Sequence, residues 1–92
     1  MLPDTEIRRR RLRFRAWHRG IREMDLLMGA FADARLSSLD EHELGLFEEL
    51  MEVPDQEVFA WLTGQATVPQ DHDTSLFRKL KAFHDHVHPL HV

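Results

Sequence analysis

The chain is predicted to be all-α, a compact bundle of about five short helices. Apolar residues recur at three- and four-residue spacing in successive segments, and helix start and stop residues fall between them. No stretch alternates apolar and polar residues with the period of two that a half-buried strand requires. Ninety-two residues, 42% of them hydrophobic, suffice for a single helical domain over 1–92, with a core of about 5–88 and short tails. A chain of this length buries roughly 60–65% of its unfolded surface, which leaves little stability to spare.

The first helix is expected from Asp4 or Thr5, either of which can cap it, to Trp17 or His18. Ile7, Phe14 and Trp17 supply a sparse apolar stripe, with Leu12 and Ala16 to one side. Gly20 interrupts the chain. A second helix follows from about Ile21 to Ala34, burying Met24, Leu27, Met28 and Phe31. Gly29 within it costs about 1 kcal/mol relative to alanine, so it marks a close helix crossing.

Ser38-Leu39-Asp40-Glu41 has the spacing of a capping box and starts a third helix bearing Leu44, Phe47, Leu50 and Met51. Pro54 suits the first turn of a fourth, which Gly64 ends in a left-handed cap. Phe59 and Trp61 lie two residues apart, about 200° around that helix, so they cannot share one stripe. Phe59 with Leu62 is the expected core pair, which leaves Trp61 two readings: a partly exposed interface anchor or a packed bundle residue. Asp73 or Thr74 caps a fifth helix carrying Leu76, Phe77, Leu80, Phe83 and Val87, and Pro89 ends it.

Several function classes are excluded by composition. Without cysteine there is no disulfide scaffold, thiolate metal site or cysteine nucleophile. No glycine-rich phosphate loop is present, and the serines read as caps or loop residues, so the chain is not expected to be an enzyme. His84, His86, His88 and His91 have chelating spacing but no fixed carboxylate or thiolate beside them; they are read as an exposed tail, with no metal expected. No apolar run approaches the roughly 20 residues of a membrane span. Nor does the N-terminus carry a secretory apolar core, and Asp4 and Glu6 argue against a transit peptide. A bacterial cytoplasmic location is the expectation.

The net charge of −4 conceals a strong polarity. Residues 1–22 hold eight arginines against two carboxylates, a balance of +6. Residues 23–73 hold thirteen carboxylates against Arg35, a balance of −12, and the remainder carries +2. Such a dipolar chain orients a charged partner as it approaches. The arginines at positions 8–11, 13 and 15 admit three readings: a solvated helix face, a protein-docking face or a phosphate-neutralising one. Four consecutive arginines wrap around a helix instead of forming one groove-facing stripe, and the acidic middle repels a duplex.

Arg19-Gly20-Ile21-Arg22-Glu23-Met24-Asp25 is the most distinctive segment. As a purely structural feature it offers an Arg19–Glu23 pair at i,i+4, worth only about 0.2–0.5 kcal/mol. A glycine amid hydrogen-bonding charges suits close approach of another backbone, so the segment is read as a docking surface. His18 adjoins it and is included as a candidate contact.

Arg19-Gly20-x-x-Glu23, continued by Met24-Asp25, resembles the RGxxE signature of the FAD assembly factors of succinate dehydrogenase. Matching segments follow in order: Leu26-Leu27-Met28-Gly29, Leu39-Asp40-Glu41, Phe47-Glu48-Glu49-Leu50-Met51, and Asp55 with Phe59-Ala60-Trp61-Leu62-Thr63-Gly64. The resemblance spans about residues 7–84. It implies a non-enzymatic five-helix bundle that binds the flavoprotein subunit of succinate dehydrogenase, and in bacteria often of fumarate reductase. The factor promotes covalent attachment of FAD to a histidine of that subunit.

The signature carries over to Arg19, Gly20 and Glu23, and in extended form to Arg22 and Asp25. His18 and Trp61 are added from the residue reading as partner-binding candidates. No cofactor is expected on this chain, since FAD goes to the client, and the free protein is expected to be a monomer that binds no nucleic acid. The alternative is a small nucleic-acid-binding or regulatory protein using the N-terminal arginine helix.

Overall fold

A computed structural model describes residues 3–87, the side chain of Val87 excepted. Five α-helices account for most of it: α1 (Asp4–Trp17), α2 (Arg22–Arg35), α3 (Glu41–Met51), α4 (Asp55–Thr63) and α5 (Ser75–Val87). Short 3-10 turns at Leu36–Ser38 and Gln70–His72 join α2 to α3 and α4 to α5. No strand occurs among the described residues. Pro89, His88 and His91, to which sequence reasoning assigned the end of α5 and part of a histidine tail, lie outside them.

Local chemistry sets the helix boundaries. Asp40 caps α3, its carboxylate accepting from the Glu43 amide at 2.8 Å. Ser38 is therefore not the cap expected of it; its hydroxyl donates to the Arg35 carbonyl at 2.8 Å and closes the preceding turn. Neither Asp4 nor Thr5 caps α1, because Pro3 occupies that position and Asp4 lies in the first turn. Gly64 ends α4 at φ +80°, a left-handed conformation that glycine adopts without steric cost. Thr74 caps α5, accepting from the Phe77 amide at 3.1 Å.

Phe31 of α2 lies at the centre of the core, meeting Phe47 of α3 and Phe83 of α5 edge-on at centroid distances of 5.6 Å. Met24, Leu27 and Met28 join it from α2, and Leu44, Leu50 and Met51 from α3. The contribution of α1 is Leu12 and Ala16, not the expected stripe of Ile7, Phe14 and Trp17. Leu12 and Ala16 are one helical turn apart, so Phe14, two residues from each, points the opposite way and is 64% exposed. Gly29 does mark a close crossing. The indole of Trp17 packs against it, and a β-carbon there would clash with the ring atoms Cδ2, Cε2 and Cε3.

The arginines of α1 form a lateral ladder to α3 and the turn that follows it. Thr5 donates to Glu41 at 3.1 Å, Arg8 pairs with Glu48 at 2.7 Å, and Arg15 with Glu52 at 2.9 Å. Residue numbers rise together on both sides, so the two helices run in the same direction. Arg9 donates to the carbonyls of Leu36 and Leu39 at 3.2 and 3.0 Å, and Arg13 pairs with Asp33 at 3.3 Å. The charge polarity of the sequence is thus largely an intramolecular fit.

Candidate partner interface around Gly20

The α1–α2 connection is a tight loop held from two sides. From below, the Arg19 guanidinium reaches across to the α3–α4 turn. Its Nε pairs with Asp55 at 2.6 Å, Nη1 donates to the Met51 carbonyl at 2.7 Å, and Nη2 to the Val53 carbonyl at 2.9 Å. Only 10% of the Arg19 side chain and 11% of that of Asp55 remain exposed. From within, the Asp25 carboxylate folds back from the first turn of α2 and accepts from the backbone amides of Arg19 and Gly20.

Gly20 is left at the surface with φ +109°, a conformation that residues with side chains rarely adopt. No atom lies within 4 Å of the position a β-carbon would take, so that side of the loop is open. Arg22 and Glu23 follow, both exposed, and their side chains make no hydrogen bond or ion pair to any described residue. Leu26, one turn further along α2, is 48% exposed. On the other side of the loop, Phe14 stacks on His18 with ring centroids 4.0 Å apart. Phe14 and Leu26 are the two large apolar side chains exposed among the described residues, and they bracket this loop in sequence.

The candidates drawn from the sequence therefore divide. Gly20, Arg22, Glu23 and His18 are presented at the surface. Arg19 and Asp25 are turned inward and build the loop. The partner of Arg19 is Asp55, thirty-six residues away, and not Glu23. Trp61 is a correction: it is 9% exposed, stacked on His72 at 5.4 Å and edge-on to Phe77 at 6.2 Å, while Phe59 is the partly buried member of the pair. Its aromatic contacts are with the loop before α5 and with α5 itself.

Sequence reasoning overlooked Phe14 and Leu26 as surface groups. The signal was available, since each lies about 200° around its helix from the residue two positions away that faces the core, Leu12 and Met24 respectively.

The loop offers an open backbone approach, one cation and one anion free to pair, and two apolar side chains. This is recognition chemistry, without a nucleophile. Among the described residues no group of three His, Cys, Asp or Glu side chains could hold a metal. His84, expected in an exposed tail, is instead buried, with Nδ1 3.1 Å from Asp85. The arginine helix is also less available to phosphates than its composition implied. Arg8, Arg9, Arg13 and Arg15 of that helix all have partners inside the molecule, as does Arg19 in the loop beyond it.

Comparison with known proteins turns this geometry into a family assignment. Residues 10–84 match the family described as flavinator of succinate dehydrogenase. The chain belongs to that family. It is 41% identical over 73 residues to the FAD assembly factor SdhE of Acetobacter pasteurianus, an alignment covering 79% of this chain and 67% of that protein. It is 33% identical over 77 residues to the mitochondrial succinate dehydrogenase assembly factor 2 of Dictyostelium discoideum, covering 84% and 55%. The corresponding protein of Caenorhabditis briggsae is 34% identical over 85 residues, covering 89% and 70%. Against the Dictyostelium relative the chain spans about half of the longer protein. The matched region takes in all of α2, α3 and α4 and the whole loop around Gly20.

Proposed function

We propose that this chain is an assembly factor that docks on the flavoprotein subunit of succinate dehydrogenase, and also on that of fumarate reductase. There it promotes covalent attachment of FAD to the subunit. It acts as a monomer in the bacterial cytoplasm, is not itself an enzyme, and holds no cofactor; FAD belongs to the client. The observation that carries the reading is the presentation of Gly20, Arg22 and Glu23 on a loop clamped by Arg19–Asp55 and Asp25.

Such a loop suits its task physically. Its backbone is fixed before the partner arrives, so little conformational entropy is lost on docking. Gly20 lets the client backbone come close, while Arg22 and Glu23 form charge-assisted hydrogen bonds with it. Phe14 and Leu26 supply apolar area beside them. Binding then favours the client conformation in which the acceptor residue faces the flavin. Ordering reactants in this way lowers a barrier by several kcal/mol without any reacting group from the helper.

The test is co-expression of the flavoprotein subunit with wild type or Gly20→Arg, followed by in-gel flavin fluorescence of the denatured subunit. Wild type is expected to raise the covalent flavin signal and Gly20→Arg to leave it at the level of the subunit alone. Circular dichroism verifies that the variant is helical. A folded Gly20→Arg protein that supports flavinylation as well as wild type contradicts the proposal.

A further inference from the structure

A cleft of about 360 Å³ lies between the C-terminal end of α2 and α5, lined by Arg35, Lys79, Ala82, Phe83 and His86. Its polar lining is entirely basic, and no carboxylate lines it. Arg35 is exposed, and its side chain makes no hydrogen bond or ion pair to a described residue. Five of the eight N-terminal arginines, by contrast, are engaged internally. Lys79 is half exposed and keeps Glu43 as its partner at 2.7 Å. An ammonium carries three donors, so it still has capacity for a ligand. His86 is exposed at the cleft edge. The apolar part of the lining is Ala82 with Phe83, whose ring also meets Phe31 edge-on.

We infer that this cleft binds a small organic dianion with a flat apolar body, either a phosphate monoester or a dicarboxylate. The guanidinium fork of Arg35 matches the paired oxygens of either group, Lys79 adds charge and donors, and His86 adds an imidazole nitrogen. The volume exceeds what a bare inorganic ion fills and falls within the range of small-molecule sites. The apolar surface of Ala82 and Phe83 takes the rest of the ligand. The inference is independent of the client-docking proposal, which concerns the loop around Gly20.

The test is amide chemical-shift titration of the ¹⁵N-labelled protein with phenyl phosphate, phthalate and inorganic phosphate. Saturable shifts are expected at Arg35, Lys79, Ala82, Phe83 and His86 with phenyl phosphate, phthalate or both, and their relative strength identifies the preferred anion. Inorganic phosphate, lacking the apolar body, should bind more weakly. Arg35→Gln removes a charge-assisted contact and should weaken binding about tenfold or more. Ala82→Glu places a carboxylate in the lining and should abolish it. Both positions are exposed, so both variants keep the fold. Any of three results overturns the inference: shifts that do not saturate, shifts centred on Arg10 and Arg11 and indifferent to Arg35→Gln, or inorganic phosphate binding as tightly as the organic anions.

Discussion

Arg19 and Asp55 form a nearly buried ion pair, Nε to Oδ1 at 2.6 Å, that ties the α1–α2 loop to the start of α4. Two further hydrogen bonds, to the carbonyls of Met51 and Val53, occupy the remaining face of the guanidinium. The arginine of the signature is therefore spent on the shape of the loop, and in the proposed docking it contributes through that shape. Removing it strands a buried carboxylate and two carbonyls. Arg19→Ala is expected to lower unfolding stability by about 3–5 kcal/mol, because the partner charge is left uncompensated. Urea denaturation reads this directly; a loss below about 1 kcal/mol would show that the arginine is not a structural clamp.

Gly29→Ala is expected to destabilise the bundle by about 1–3 kcal/mol, since the added methyl must displace the Trp17 indole. Trp17 Nε1 also donates to Asp33 at 3.3 Å, so a moved ring loses that bond and its emission shifts to longer wavelength. Denaturation with tryptophan fluorescence, on a Trp61→Phe background to isolate Trp17, provides the measurement. Unchanged stability and emission would mean that the crossing is looser than described.

The hydrogen bond from Arg8 holds the Glu48 carboxyl below its ordinary value of 4.5, against a smaller opposing effect of desolvation. A carboxylate with a depressed folded pKa contributes stability above its unfolded value and loses it as pH falls through the folded one. Wild type should therefore lose stability on acidification from about pH 5 downward, and Glu48→Gln should lose less over that window. Thermal melts at pH 7, 5 and 3 test the sign. A steeper loss in Glu48→Gln than in wild type contradicts it.

Phe14→Ser should leave stability within about 0.5 kcal/mol of wild type, because the ring lies outside the core. Capture of the flavoprotein subunit should fall, since an aromatic side chain beside the docking loop is lost. Full capture by the serine variant would remove Phe14 from the interface.

Much of this was legible from the residues. Met24, Leu27, Met28 and Phe31 mark the buried face of α2 by spacing alone, and Gly64 and Thr74 end and start helices as their chemistry dictates. The inward roles of Arg19 and Asp25 were not legible. A guanidinium partner thirty-six residues away leaves no local pattern, and a carboxylate that folds back over a loop reads in sequence as one more surface charge. The same limit explains the arginine segment: its match to Asp33, Glu48 and Glu52 depends on α2 and α3 lying beside α1. Capping of α3 was misplaced because Ser38 and Asp40 both have suitable side chains, and the preceding 3-10 turn decides between them. Trp61 and Phe59 exchanged roles because periodicity cannot say which face of α4 meets α5, and Phe77 and His72 settled it.

The most direct measurement is the Kd of the isolated flavoprotein subunit for three proteins: wild type, Glu23→Ala and Glu49→Ala. Glu23 and Glu49 are both exposed carboxylates without a partner among the described residues, on α2 beside Gly20 and on α3 respectively. Loss of one charge-assisted contact in the interface should weaken Glu23→Ala binding about tenfold or more, with Glu49→Ala unchanged. Equal affinity of all three proteins, or equal weakening of both variants, would contradict docking through the loop around Gly20.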